Sequence, residues 1–457
     1  MRDSSVKLYI LIMTICSLTV TAGCGSSSTQ ASSDTELLSV VAISRHGIRS
    51  PTSTTESLNQ YTSRVQGFPI WPPLLDAPES PLPAGYLTDF GQQNAARLGS
   101  WYRDFYAAQG ILPPRGSCPA TGTVFVYADK VERTLQTAQG YLDGMFLSEA
   151  TPDCGFVVNH TKDLFDHYID TAIIPGLIDR PTDQEVFNAK IGGVNGTLLQ
   201  STYAAQLQML QTVTGTGTTP ILTLPTTQTT SGPVQFAPGT LFDVADTLTE
   251  TFELEYAQGM PDTDCATTPG AQCVGWEAIP PGGLYDLTKL HVMNMELYCG
   301  LPSFAQVAST NLMWQLVGTM DQTLSGVKNP AMFAPKDNKF SLFVAHDENI
   351  MAIAAFLGGL TWKAEGFLKN DPGPAGALVF ELHSVKWSGQ IIVRLFYVIA
   401  SLDQMRNGTT LTLDTPPQRI PLRIPACGNR YDCPYDQFKS FITSHVRQDI
   451  IFPPPAP

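Results

Sequence analysis

At roughly 100–200 residues per domain, the 457 residues of this chain leave room for two to four domains, or one large domain with an insertion, and for a sizeable buried core. A hydrophobic share of 43% with only 15% charged residues excludes a disordered or coiled-coil chain. Lys and Arg number 27 against 41 Asp and Glu, a formal net charge of −14; this argues against nucleic acid or an anionic membrane as a bulk electrostatic partner but leaves room for a local basic pocket.

The chain begins as an address. Arg2 and Lys7 precede a short, mostly apolar run over residues 8–20, well under the about 20 residues that a membrane-spanning helix needs. A basic start, a short apolar stretch and small residues after it predict an export signal over residues 1–23. Thr21-Ala22-Gly23-Cys24 resembles a bacterial lipobox, which would place a lipid anchor on Cys24. Thr21 departs from the usual apolar residue there, and Val20-Thr21-Ala22 would equally serve ordinary cleavage. Residues 24–36 form a Ser/Thr-rich tether.

The nearly continuous apolar run at residues 37–44 predicts a strand buried on both faces. Residues 87–107 carry a helical apolar stripe. A strand is predicted over 123–127 and a helix over 131–146, then a strand over 339–345 and a helix over 349–357. Residues 377–382 and 390–398 predict a hairpin closed around Trp387-Ser388-Gly389. In between, helical patterns dominate (202–211, 241–256, 311–324), broken by a Thr/Gly/Pro-rich loop at 212–233. The expected organisation is an α/β domain over 37–155 and 326–450, a mainly helical insertion over 156–325, and a proline-rich tail over 451–457.

Nine cysteines fit an exported, disulfide-bearing chain. Cys265 and Cys273, and Cys427 and Cys433, are close enough in sequence to close small loops; Cys118 and Cys154 would bracket one strand and one helix, with Cys299 left over. No C-x-x-C pair or Cys/His cluster appears, so no metal site is expected.

Three constellations follow predicted strands. Arg45-His46-Gly47-Ile48-Arg49-Ser50-Pro51 sits where ligands bind in α/β sheets. Arginine forks hold phosphate or carboxylate, and a histidine between them is better placed as a nucleophile toward the group they hold than as a general base. His346-Asp347-Glu348-Asn349 offers an anion donor and a proton donor, or simply a helix cap. Asp129-Lys130-Val131-Glu132-Arg133-Thr134 adds a cation at a helix start, where anions are favoured.

In these three segments the sequence resembles a histidine acid phosphatase, the branch of the histidine phosphatase superfamily that contains bacterial phytases and glucose-1-phosphatases. The family's R-H-G-x-R-x-P motif stands at residues 45–51, its H-D motif at His346-Asp347, and its A-D-x-x-x-R-T segment at residues 128–134. The resemblance covers about residues 37–444, with the stretch near 180–310 matching only in general character. It implies a mixed central sheet flanked by helices, a smaller helical cap and an active site between them. It also implies a phosphohistidine on His46, phosphoryl oxygens clamped by Arg45, Arg49, Arg133 and His346, and Asp347 as the proton donor to the leaving alkoxide, with no cofactor and no metal. Pairs such as Cys118–Cys154 and Cys427–Cys433 are typical of the bacterial members.

Glu348 departs from the small polar residue usual after the aspartate. It is a candidate accessory acid, and its charge should disfavour a highly anionic ester such as phytate. The expectation is an exported acid phosphatase, periplasmic or lipid-anchored, acting on a sugar phosphate, an inositol phosphate or a broad range of small phosphomonoesters. The alternatives are the phosphoglycerate-mutase-like branch, a periplasmic solute-binding lipoprotein, and a non-catalytic lipoprotein that binds phosphorylated ligands on the same scaffold.

Overall fold

The computed structural model describes residues 34–147, 154–160, 176–216, 219–260 and 274–452, all of which fall in one unit, Asp34–Pro457. The expected export signal, the Cys24 anchor site, most of the tether, the Cys265–Cys273 pair and the end of the proline-rich tail lie outside the described residues.

The strands are β1 (Thr35–Arg45), β2 (Val124–Ala128), β3 (Asn159–His160), β4 (Phe340–Ala345), β5 (Ala377–Val385), β6 (Ile391–Ile399), β7 (Gln418–Leu422) and β8 (Cys433–Pro434). They form one mixed sheet in the order β3-β2-β4-β1-β5-β6-β7, with β8 beside β6. The β3/β2, β2/β4 and β4/β1 pairs are parallel; β1/β5, β5/β6 and β6/β7 are antiparallel. β1 is central, and Val40 to Ile43 are fully buried, as a continuous apolar run requires of a strand covered on both faces.

The helices are α1 (Thr55–Asn59), α2 (Asp89–Ala108), α3 (Glu132–Phe146), α4 (Arg180–Ile191), α5 (Thr197–Thr202), α6 (Ala204–Thr214), α7 (Leu241–Ala257), α8 (Gly283–Cys299), α9 (Pro302–Ser325), α10 (Asp347–Phe356), α11 (Leu402–Arg406) and α12 (Tyr435–His445). α2 and α3 lie against each other so closely that a Cβ on Gly144 would come 1.8 Å from the Ala96 carbonyl oxygen; a larger residue there would pry the pair apart. α4 to α9 lie between β3 and β4 in the chain, and α9 packs against α10 and α12.

The strand–helix units fall where the sequence places them, with ends shifted by a few residues. The helix read over 311–324 is longer, starting at Pro302, where a proline in the first turn leaves no backbone donor wasted. The loop read over 212–233 loses its start to α6, which ends at Thr214, and holds a short 3-10 turn at Ile221–Thr223. Cys118–Cys154 and Cys427–Cys433 are bonded. Cys299 is the free thiol among the described residues, and it is buried; burial pushes its pKa well up and leaves it unreactive.

Candidate active site

Three adjacent parallel strands end together. Arg45 pairs with Ala345 across β1/β4, and Ala128 with Val344 across β2/β4. The residues that follow each strand therefore meet at the carboxyl edge of the sheet, where an open α/β sheet leaves a crevice. The backbone fixes them there: His46 N donates to Ala345 O at 2.9 Å, Asp129 N to Val344 O at 3.1 Å, and Ala375 N to His46 O at 2.9 Å. The turn after His46 passes tight against the start of α2. A Cβ on Gly91 would sit 2.2 Å from the Ile48 carbonyl oxygen, so only glycine lets that helix approach.

This geometry gathers Arg45, His46, Arg49, Arg133, His346 and Asp347. His46 is 1% exposed, and its Nδ1 lies 2.9 Å from the Gly47 carbonyl oxygen. A carbonyl only accepts, so Nδ1 carries the proton and Nε2 keeps its lone pair. Burial, then the Arg133, Arg45 and Arg49 charges, hold the imidazole well below its ordinary pKa; it stays neutral in acid, as a nucleophile must. The rings of His46 and His346 are 5.7 Å apart, edge to face.

His346 Nε2 lies 2.8 Å from Asp129 Oδ2 and its Nδ1 3.3 Å from Arg133 Nη2. Asp129, fully buried, thus accepts a hydrogen bond from Nε2–H, which leaves Nδ1 to accept from the guanidinium. Asp347 is ion-paired to Arg45, Oδ2 to Nη2 at 2.8 Å. Burial pushes the Asp347 pKa up, but the Arg45 charge outweighs it and the carboxyl sits well below its usual range. Its neighbour Glu348 is pushed well above its usual range by burial and by the Asp347 charge, so of the two it is Glu348 that holds a proton.

Sequence reasoning missed Glu250, Asp246 and His291, and gave Asp129 no role. Glu250 on α7 lays its carboxylate on both Arg45 and Arg49: Oε1 is 2.5 Å from Arg45 Nη2, and Oε1 and Oε2 are 2.8 and 2.9 Å from Arg49 Nη2. Burial raises its pKa, but Arg49 and Arg45 pull it below the ordinary value. Behind it, His291 on α8 is held by Asp246 (Nδ1 to Oδ1, 2.7 Å), which Asn294 also contacts. Burial lowers the His291 pKa, but the Asp246 contact raises it overall to about 10, so His291 is an imidazolium.

The ligand atoms of Glu250, His291 and Asp347 lie within 4.8 Å of one another, a spacing that a metal ion could bridge. The chemistry of the set does not fit one. Both carboxylates already neutralise arginines, and the imidazole is protonated, whereas a metal ligand must be deprotonated. The signal for the missed acids was present in α7: Glu250, Glu253 and Glu255 are interleaved with Phe252 and Leu254, too many carboxyls for one apolar helix to turn to solvent.

Comparison with known proteins agrees with this geometry. The family model "Histidine phosphatase superfamily (branch 2)" matches residues 36–214. Phytase AppA of Escherichia coli is 28% identical over 88% of this chain and 89% of its own length. A glucose-1-phosphatase of Salmonella typhimurium is 26% identical over 90% of this chain and 93% of its own. Over residues 36–214 the chain is similar to the histidine phosphatase superfamily, branch 2. A Hafnia alvei phytase solved with tartrate superimposes with a TM-score of 0.77 at 27% identity, covering 93% of this chain and all of that one. The R-H-G-x-R motif and the A-D-x-x-x-R-T segment both lie within the span that the family model matches.

The Glu250 carboxylate on Arg45 and Arg49 would compete with any phosphate that those guanidiniums hold. Glu250→Gln removes that charge while keeping the side-chain shape. Inorganic phosphate, measured by calorimetry, is expected to bind the variant at least about tenfold more tightly, since a dianion no longer meets a fixed anion on the same guanidiniums. Weaker binding would mean that Glu250 holds the arginines ready for phosphate rather than blocking them.

Proposed function

We propose that this protein is an exported acid phosphatase that hydrolyses small phosphomonoesters through a phosphohistidine on His46. The observation that carries the reading is the orientation of His46, its Nε2 lone pair free among three guanidiniums. In the first step Nε2 attacks phosphorus while the ester P–O bond breaks, and Asp347 gives its proton to the departing alkoxide. In the second, water attacks the phosphohistidine, the Asp347 carboxylate takes the water's proton, and phosphate leaves with the imidazole restored. Arg45, Arg49 and Arg133 hold the phosphoryl oxygens through both steps, the electrostatic task that dominates phosphoryl transfer, and His346, between Asp129 and Arg133, positions the Arg133 guanidinium. Arg133 and His346 are tied to each other, so they move as one.

The leaving group faces Glu250, Glu348 and the other acids of the pocket. That surround favours an ester with little charge beyond its one phosphate, such as a sugar monophosphate, over phytate. Export rests on the pattern of residues 1–23.

The test is hydrolysis in excess EDTA at acidic pH across glucose 1-phosphate, other sugar monophosphates, nucleotides and phytate. Full activity in EDTA is expected, with kcat/KM for the sugar monophosphates above that for phytate. A preference for phytate would overturn the substrate reading. Failure of the wild type on every ester would overturn catalysis itself and favour a phosphate-binding scaffold.

A further inference from the structure

The arginine clamp is only half open. Arg45 Nη1 donates to Pro372 O and Arg49 Nη1 to Ser50 O. Nη2 of each donates to Glu250, and Arg45 Nη2 meets Asp347 as well. Nε of both arginines is buried and, among the described residues, has no hydrogen-bond partner. With Nη1 on a backbone carbonyl, an oxyanion held bidentately takes Nε and Nη2 together, so Glu250 stands on one arm of each fork. Phosphate takes both arms only when Glu250 moves off.

A receiver for that carboxylate stands within reach. α7 packs against α8. Asp246, one turn before Glu250 on the same face of α7, holds His291 Nδ1 at 2.7 Å, and Asn294 Nδ2 holds the other Asp246 oxygen at 2.9 Å. His291 is buried, and among the described residues its Nε2 has no hydrogen-bond partner. A ring nitrogen of His291 lies within 4.8 Å of an oxygen of Glu250 and an oxygen of Asp347, a gap that a side-chain rotation of Glu250 can cross. The Asp246 and Glu250 charges favour the imidazolium, and the Arg45 charge opposes it. Two further carboxyls, Glu253 and Asp371, also face its charge. Asp371 already accepts from Leu368 N–H and is hydrogen-bonded to Glu253, and Asp347 is on Arg45. Glu250 is the carboxylate that phosphate would set loose.

We propose that His291 is a positioning residue that receives Glu250 when phosphate enters: the carboxylate leaves Nη2 of Arg45 and Arg49 and accepts from His291 Nε2–H, which opens both forks to the phosphoryl group. No proton moves and no covalent bond changes; one ion pair is exchanged for another. A buried imidazolium N–H without an acceptor is unfavourable, and so is a buried carboxylate taken off its arginines. The exchange removes both penalties at once, so phosphate displaces Glu250 against a smaller opposing free energy. The inference rests on the reading that these arginines hold phosphate.

The test is a double-mutant cycle in the binding of inorganic phosphate, by calorimetry on the full chain at constant ionic strength. The loss of affinity on His291→Gln is expected to be at least tenfold larger in the chain that has Glu250 than in Glu250→Gln, where no carboxylate needs a receiver. An imidazolium that merely attracts phosphate gives equal losses in both backgrounds, and equal losses would overturn the inference. If His291→Gln does not fold, Asp246→Asn takes its place in the cycle with the same expectation, since it keeps the imidazole but withdraws the carboxylate that charges it. In the wild type with ¹⁵N-labelled histidine, the Nε2 proton of His291 should move downfield when phosphate is added, and in Glu250→Gln it should not. A proton that phosphate leaves unmoved in the wild type would also overturn the inference. Phosphate that binds none of these proteins would overturn the reading of the clamp itself, and the inference with it.

Discussion

His46→Ala is expected to lower kcat on any phosphomonoester by about 10⁴-fold or more, the scale seen when a covalent nucleophile is removed, while phosphate still binds. The two outcomes separate because binding and bond formation use different atoms. In the proposed reaction Arg45, Arg49 and Arg133 hold phosphoryl oxygens, and His46 Nε2 brings the lone pair to phosphorus. The Gly47 carbonyl fixes the proton on Nδ1, and burial among guanidiniums keeps the ring neutral, so the wild type should be armed even in strong acid. The accompanying measurement is trapping with a ³²P-labelled ester, quenched in alkaline detergent. The wild type should carry label that is stable to base and lost in acid, as a phosphoramidate is, and His46→Ala should carry none. Label retained in the variant would move the nucleophile elsewhere. Loss of phosphate binding along with activity would mean that the imidazole also shapes the clamp.

That residue was legible in the sequence for a physical reason. A strand buried on both faces reads as an unbroken apolar run, and its end reads as an abrupt change to Arg-His-Gly. The same contrast marks His346-Asp347 after residues 339–345 and the Asp129 segment after residues 123–127. Sequence order could not show that the three strands are neighbours in the order β2-β4-β1, but chemistry at strand ends suggested a common edge. Glu250 and His291 were not legible on those grounds. The excess of carboxyls in α7 says that some of them turn inward, but only the packing of α7 and α8 shows that Glu250 and His291 are among those that do. Asp129 was quoted as part of a motif yet had no visible task until its contact with His346 Nε2 appeared. Glu348 was singled out for its charge; in the structure its neighbour Asp347 carries the charge and Glu348 the proton.

That division of protons bears on the proton donor. Asp347→Asn is expected to lower kcat by about 10²- to 10⁴-fold on alkyl phosphates, the usual worth of a general acid, and far less on nitrophenyl phosphate, whose leaving group departs without one. The pH profile follows from the Asp347–Arg45 contact at 2.8 Å. In the free enzyme Arg45 holds the Asp347 pKa well below the ordinary range, so the protonated acid is lost as pH rises through that low value, and kcat/KM on alkyl esters should peak in acid and fall from there. Once a phosphate dianion shares Arg45, the guanidinium supports the carboxylate less and the dianion opposes it. Both effects raise the Asp347 pKa, so the falling limb of kcat should lie at higher pH than that of kcat/KM. Asp347→Asn should erase the falling limb from both profiles. A limb that survives in Asp347→Asn but vanishes in Glu348→Gln would assign the transferred proton to Glu348, the carboxyl that already holds one at rest. An alkaline optimum in the wild type would sink the acid mechanism for both residues.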